Sequence, residues 1–167
     1  MKLTFLSSGL FALTLSSGLG LGLGLAQTQG ISTTTTVTDC VIQEVLPGRA
    51  MTGAFVTFNH QGEAVEIVDS LIPSVSDQVE LHQMDMVDNV MTMGPLQDTT
   101  LKAGQRFFRK GGDHIMIMNI AEDSIPQIGD THTMTFTFSN GTTATCDALV
   151  KSLDDVMKEH AASKMAH

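Results

Sequence analysis

The most constraining feature of this sequence is a series of short segments in which apolar and polar residues alternate, separated by turn residues. Such alternation is typical of β-strands with one buried face, and Gly, Pro and Asn favour the turns between them. The strongest turn signal is Asn140-Gly141, which predicts a two-residue hairpin. No alternation of strands with helices is visible. We therefore predict an all-β fold, an antiparallel β-sandwich. The predicted strands cover residues 33–45, 53–59, 64–71, 78–86, 90–93, 114–120, 131–139 and 142–150, and residues 101–108 contain a Lys-Ala-Gly turn and a further short strand.

The first 26 residues have the composition of a signal peptide. A positive charge at Lys2 precedes a run of apolar and small residues that ends at Ala26. The run is also long enough to span a bilayer, so an uncleaved anchor is the alternative. We predict a signal peptide over residues 1–26, one β-sandwich domain over residues 27–150 and a tail over residues 151–167. The tail has the pattern of a short helix or a flexible extension.

The charge balance excludes some classes of partner. Nine basic and 18 acidic residues give a formal net charge of −9. Binding to nucleic acids or to anionic membranes is disfavoured, because phosphate contacts need a basic surface. An acidic surface suits a cation or a basic partner, or serves solubility alone.

The two cysteines, Cys40 and Cys146, lie near opposite ends of the predicted domain. In an exported chain they can form a disulfide, which would contribute about 3–5 kcal/mol on the chain-entropy model. Two unpaired, buried thiols are the alternative. The cysteines lack the Cys-x-x-Cys spacing of thiol oxidoreductases.

Methionine and histidine are concentrated in one stretch of the chain. Thioether sulfur is soft and uncharged and imidazole is borderline, so such a set suits Cu(I) and is a poor site for Mg²⁺, Ca²⁺ or Zn²⁺. The stretch contains His82, Met84, Met86, Met91, Met93, His114, Met116 and Met118.

Two His-x-Met pairs lie within this stretch. Because residues two apart on a strand share a face, His82 lies beside Met84, and His114 lies beside Met116. The intervening Val, Leu and Ile residues have the pattern of core, which predicts that the His/Met side faces solvent or lies at an edge of the sandwich. Gly111-Gly112 allows the backbone to bend close to this site. A single methionine is more often a core filler, but two such pairs are hard to obtain from packing alone.

The spacing within this stretch follows a known motif. Ten residues separate His82 from Met93, and twenty separate Met93 from the His-x-Met at His114. Together with the flanking segments, this pattern resembles the periplasmic PCu(A)C copper chaperones over most of residues 35–150. The family has about one residue more before the second His, and often an aromatic residue where this chain has Asp113. The segments that carry the resemblance are Thr52-Gly53-Ala54-Phe55, Glu80-Leu81-His82, Asn89-Val90-Met91-Thr92-Met93, Leu101-Lys102-Ala103-Gly104 and Gly111-Gly112-Asp113-His114-Ile115-Met116.

The resemblance implies both a fold and a function. It implies a cupredoxin-like β-sandwich and one Cu(I) site formed by His82, Met93, His114 and Met116, with Met91 as the alternative to Met93. It also implies a periplasmic or otherwise extracytoplasmic chaperone. The partner would be a copper-accepting protein, such as a subunit of cytochrome c oxidase with its binuclear copper centre.

Other histidines and methionines carry weaker signals. His60 and His132 stand alone in strand-like segments, and we predict structural or surface roles for both. Some members of the family carry similar Met/His-rich tails that take part in copper binding, and carboxylates in this tail would suit Cu(II). A solvated helix end with incidental histidines is the alternative. The tail residues concerned are Asp154, Asp155, Met157, Glu159, His160, Met165 and His167.

Two other classes of function are open. An exported interaction module could use the methionines as a surface for a protein partner. A measurement of metal binding would distinguish this interpretation from a copper chaperone. An enzyme is the third class. The sequence contains no recognisable Ser-His-Asp arrangement, nucleophile elbow or paired-carboxylate spacing. We therefore predict a binding protein and not an enzyme.

Overall fold

The computed structural model describes residues 34–165, and side chains as far as residue 162. The predicted signal peptide, residues 1–26, lies outside the described residues. The strands follow the predicted order, and one 3₁₀ turn, Glu122–Ser124, precedes the last two. The elements are β1 (Thr34–Gln43), β2 (Thr52–Gln61), β3 (Val65–Leu71), β4 (Gln78–Val87), β5 (Val90–Pro95), β6 (Thr100–Leu101), β7 (Gly104–Phe108), β8 (His114–Met118), β9 (Thr131–Phe138), β10 (Thr143–Lys151) and α1 (Leu153–Met165).

The ten strands form one continuous sheet in the order β5-β4-β8-β2-β1-β10-β9-β3-β6, and β7 pairs with the second half of β2. Neighbouring strands are antiparallel apart from β1 and β10, which run parallel with Val41 opposite Leu149. This pair departs from the predicted antiparallel arrangement, which the other neighbouring strands follow. The first and last strands of the domain are joined through the whole intervening chain, so no tight hairpin forces them to be antiparallel.

The sheet curls until its strands face one another across an aromatic core. Phe58 on β2 makes edge-to-face contacts with Phe108 on β7 and with Phe136 on β9, at ring-centroid distances of 5.1 and 5.0 Å. All three rings are fully buried. Because aromatic rings bury large areas and prefer this geometry, they hold the two halves of the curled sheet together.

A bulge in β1 changes which of its side chains face the core. Asp39 has a φ of 54°, and the pairing of β1 with β2 shifts at this point. Val37 is buried before the bulge, and Cys40 and Ile42 are buried after it. The extra residue thus moves the inward-facing positions by one along the strand.

The inward position of Cys40 allows a disulfide to Cys146 on β10, and this bond is present. It joins residues 106 apart in the sequence. The alternative of two unpaired thiols is wrong.

The predicted tail forms α1 and packs against the sheet. The backbone N–H of Asp155 donates to the hydroxyl of Ser152, which caps the first turn. Val156 is buried, and the helix contacts β1. The expectation of a flexible extension is therefore wrong for the described part of the tail. No helix in residues 34–165 has both the length and the apolar character needed to cross a bilayer.

Candidate metal centre

Strand pairing brings the two predicted histidines together. β4 and β8 are antiparallel, and His82 lies directly opposite His114, with 6.0 Å between the ring centroids. β5 pairs with the other edge of β4, so that Met93 lies opposite Met84. Because opposite residues in a sheet share a face, imidazoles and thioethers from three strands project to the same side.

The His114 ring is held with one nitrogen facing Met93. Its Nδ1–H donates to the carbonyl oxygen of Gly112 at 2.8 Å, since a carbonyl oxygen only accepts. In the neutral ring the lone pair is therefore on Nε2, which lies 3.1 Å from Met93 Sδ. Two tetrahedral ligand atoms of one metal ion lie about 3.3–3.8 Å apart at bond lengths of about 2.0–2.3 Å. The two atoms are slightly closer than this, so a small shift of the exposed Met93 side chain would let both bind a single ion.

The surroundings of His114 favour the neutral ring. Burial lowers the pKa of His114, and the nearby His82 and Lys110 lower it further, whereas the Gly112 hydrogen bond and Asp113 act in the opposite direction. Only a deprotonated nitrogen binds a metal, so the lowered pKa keeps Nε2 ready for a ligand role near neutral pH.

The His82 ring also has one nitrogen held by a hydrogen bond and one nitrogen without a partner among the described residues. Its Nε2 lies 2.9 Å from Oε2 of Glu80, and because a carboxylate accepts, Nε2–H is the donor. The other nitrogen, Nδ1, is buried and has no hydrogen-bond partner among the described residues. An unsatisfied buried nitrogen is costly, and a bound metal ion would satisfy it. The donor set of His82 therefore fits a metal.

Met116 lies at the buried end of the site. It follows His114 by two residues on the same face and lies opposite both Glu80 and Gly53. The Phe55 ring comes within 3.3 Å of the position that a Cβ on Gly53 would occupy, so it fills the space beside Met116.

The site is half-buried. His114 and Met116 are 6% and 7% exposed, whereas Met93 is 49% exposed. β8 lies inside the sheet between β4 and β2, while β5 is an edge strand. The expectation that the His/Met side faces solvent or lies at an edge of the sandwich holds for Met93 on β5, whereas the two β8 residues are buried inside the sheet.

The remaining methionines of the stretch lie farther from the histidines. Met91 is paired with Met86, two cross-strand pairs beyond Met84 and Met93, and the pair Asp85 and Thr92 lies between them. Met118 is half-buried opposite Gln78. The geometry favours Met93 over Met91 as the neighbour of His114.

Two groups that orient the histidines were not identified from the sequence. For Glu80 the sequence does hold a signal, because residues two apart on a strand share a face and Glu80 precedes His82 by two residues. The Gly112 carbonyl has no such signal, because it depends on the backbone path of residues 109–113. Arg106 holds that path by donating to Asp113 at 2.7 Å.

The isolated histidines have the predicted structural roles. Buried His60 forms hydrogen bonds with the hydroxyl of Thr35 and the carbonyl oxygen of Glu63. His132 is hydrogen-bonded to the Ser74 hydroxyl.

The carboxylates at the start of the tail have other partners. Asp155 bonds with Ser152 and lies near Lys158, and Glu159 forms an ion pair with Lys151. Among the described residues, no three His, Cys, Asp or Glu side chains lie close enough to hold a metal ion. The side chains of Met165 and His167 lie outside the described set.

Comparison with solved structures identifies the fold. It matches the apo PCuAC domain of PmoF2 with a TM-score of 0.58 at 15% identity, covering 74% of this chain and 95% of that one. The copper-bound PCuAC domain of PmoF2 matches with a TM-score of 0.52 at 14% identity, over 70% and 91% of the chains. Cu(I)-bound DR1885 from Deinococcus radiodurans matches with a TM-score of 0.52 at 23% identity, over 75% and 83%. The chain has the cupredoxin-like fold of PCuAC domains, as the resemblance implied.

The sequence family is also established. The family described as "Putative lipoprotein LpqE-like", which is related to the PCuAC domains, matches residues 35–150. This protein belongs to the LpqE-like family. Comparison with curated proteins gives no significant match.

Proposed function

We propose that this protein is an extracytoplasmic copper chaperone that carries one Cu(I) on His82, Met93, His114 and Met116. The observation that carries the proposal is the 3.1 Å approach of His114 Nε2 to Met93 Sδ, beside the unsatisfied Nδ1 of His82. The copper-bound relatives of the same fold add support.

The ligand chemistry suits a carrier. Two imidazoles and two thioethers are neutral, so Cu(I) would keep its single positive charge, and thioethers favour Cu(I) over Cu(II). A blue-copper electron carrier needs a cysteine ligand, but Cys40 and Cys146 are bonded to each other. With no thiolate to hold the metal, the ion can leave by stepwise ligand exchange. The chain itself carries out no covalent chemistry in this role.

The partial burial of the site suits transfer to a protein acceptor. His114 and Met116 form a buried floor, and Met93 forms an exposed rim. A partner can therefore offer its own ligands from the side of Met93 while the histidines still hold the ion. By resemblance to the PCu(A)C family, the acceptor is a copper enzyme such as cytochrome c oxidase, whose binuclear centre would receive the ion. The disulfide and the predicted signal peptide fit an oxidising, extracytoplasmic compartment.

A competitive Cu(I) titration with a chromogenic chelator tests the proposal. We expect one tight equivalent for the unmodified protein and a loss of affinity of about 10–100-fold or more in His114→Ala and in Met93→Leu. Met91→Leu is the matched control and should retain the tight equivalent. Absence of competitive binding by the unmodified protein would overturn the proposal. Equal losses of Cu(I) affinity in Met91→Leu and Met93→Leu would contradict the assignment of Met93, and not Met91, as the ligand.

A second candidate function is an interaction module, favoured by the exposure of apolar side chains on the β4–β5 hairpin. Met86, Val87 and Val90 are each more than half exposed. Large exposed apolar patches often contact protein partners. The same titration separates the two functions, because a pure interaction surface predicts no tight equivalent.

We also propose that the tail captures Cu(II) through residues near its end, including His160 and His167. Removal of residues 160–167 tests this without removing the packing of Val156 or the Lys151–Glu159 ion pair. We expect weaker Cu(II) binding and unchanged Cu(I) binding. Unchanged Cu(II) affinity in the shortened chain would contradict the tail site.

A further inference from the structure

The β4–β5 hairpin extends beyond the body of the sheet. β4 pairs with β8 only over residues 78–82, whereas its pairing with β5 covers residues 82–87. Beyond residue 82, β5 is therefore the single strand partner of β4 among the described residues, and the Met93 side chain reaches back to His114. A two-residue turn at Asp88 and Asn89, both with positive φ, closes the hairpin.

Four methionines form two cross-strand pairs on one face of this hairpin. Met86 lies opposite Met91 near the turn, and Met84 lies opposite Met93 two cross-strand pairs closer to the sheet. Because residues two apart share a face, the next position along β4 on this face is His82. The thioethers thus lie on one face of the hairpin, from its tip to the imidazoles.

The methionines at the tip of the hairpin are not part of the hydrophobic core. Met86 and Met91 are 62% and 48% exposed, whereas the core residue Met134 is 1% exposed. The opposite face of the hairpin carries the exposed polar pair Asp85 and Thr92 and, next to the turn, the exposed apolar pair Val87 and Val90. Packing therefore does not account for the thioethers at the tip, although methionine is usually a filler of apolar gaps.

We propose that Met84, Met86, Met91 and Met93 form a second and weaker Cu(I) station, where the ion is held on its way into or out of the His/Met centre. This inference rests on the proposed copper function. An all-thioether set is soft and neutral, so it accepts Cu(I) without release of a proton and without a change of oxidation state.

Met93 belongs to both sets of ligands and so provides the step between them. Its sulfur lies 3.1 Å from His114 Nε2 and is paired across the hairpin with Met84. While Met93 keeps the ion, the other hairpin thioethers are exchanged for His82, His114 and Met116. The copper remains Cu(I), and one ligand bond forms as another breaks.

The test is an anaerobic Cu(I) titration of the full chain with ¹³C-labelled methionine methyl groups, followed by NMR. We expect the first equivalent to fill the His/Met centre and to shift the methyl signals of Met93 and Met116. Because Met93 is then engaged, a second equivalent is held by Met84, Met86 and Met91 and shifts the methyl signals of Met86 and Met91. In the double variant Met86→Leu/Met91→Leu, affinity for the second equivalent should fall about 10–100-fold or more, with the first unchanged. Leucine nearly conserves the volume of methionine, so the hairpin is retained.

Two control variants separate a thioether effect from a general effect of the hairpin. Val87→Leu/Val90→Leu alters the opposite face of the same turn, and Met51→Leu removes an exposed methionine on another part of the surface. Both should bind two equivalents like the unmodified protein. If the methyl signals of Met93 and Met116 shift but those of Met86 and Met91 do not, the second station is overturned and the proposed function stands. If the methyl signals of Met93 and Met116 do not shift, the proposed function is overturned and the second station with it.

Discussion

At the scale of single residues, burial of the His114 ring connects the stability of the metal-free protein to pH. The ring is 6% exposed, and this burial is the main cause that lowers its pKa in the folded state. Above the unfolded-state pKa of about 6.5, the ring is neutral whether the chain is folded or unfolded, so it contributes no pH dependence. Below that pH the unfolded chain takes up a proton that the folded ring resists. The free energy of unfolding therefore falls as pH falls towards the lower, folded-state pKa.

We predict that His114→Gln reduces this loss of stability on acidification. Urea unfolding of the metal-free protein between pH 7.5 and 5 measures it. The unmodified protein should lose more stability over this range than the variant, because glutamine does not titrate. Identical pH slopes for the unmodified protein and the variant would contradict the prediction.

At the scale of elements, the loop between β7 and β8 sets the orientation of His114. The N–H of Arg109 donates to the carbonyl of Asp113, and the N–H of Gly112 donates back to the carbonyl of Arg109. Gly111 turns the loop with a φ of +82°. This path presents the Gly112 carbonyl to the ring, so the loop orients the His114 side chain of the proposed metal centre through its backbone.

We predict that Gly111→Ala destabilises the protein by about 1 kcal/mol, because a residue with a Cβ disfavours positive φ. Gly112→Ala is the matched control, since a Cβ there would lie 3.7 Å from its nearest neighbour, an ordinary contact. Urea unfolding of both variants provides the comparison. Equal stability of the two variants would show that the left-handed conformation of Gly111 is not a constraint on this loop.

At the scale of the whole molecule, the disulfide and the proposed metal centre lie in different parts of the sheet. Cys40 and Cys146 join β1 to β10, whereas the centre is formed on β4, β5 and β8. The bond closes a loop with a sequence separation of 106 and so restricts the unfolded chain strongly. Stability and metal binding should therefore respond separately to its removal.

We predict that Cys40→Ala/Cys146→Ala lowers the free energy of unfolding by about 3–5 kcal/mol. Cu(I) affinity, measured by chelator competition on the folded variant, should stay within about twofold, because no ligand is removed and the centre is remote. Urea unfolding measures the first effect. A loss of Cu(I) affinity without a loss of stability would contradict the separation of the two regions.

The local sequence was sufficient to predict the strands and the faces on which their side chains lie. Alternation of apolar and polar residues depends only on neighbours along the chain, as does the turn at Asn140-Gly141. The same local information placed His82 with Met84 and His114 with Met116. The set His82, Met93, His114 and Met116 came from the resemblance to a family motif, and its role as a ligand set stays a prediction.

What the sequence alone determined about this protein is therefore the order of its elements and the chemical character of one face. The tertiary structure alone decided the contacts between distant strands. It placed His82 opposite His114, brought Met93 Sδ to the imidazole, joined Cys40 to Cys146 and made β1 parallel to β10. Strand register and strand order bring together residues far apart in the chain, and no local pattern encodes them.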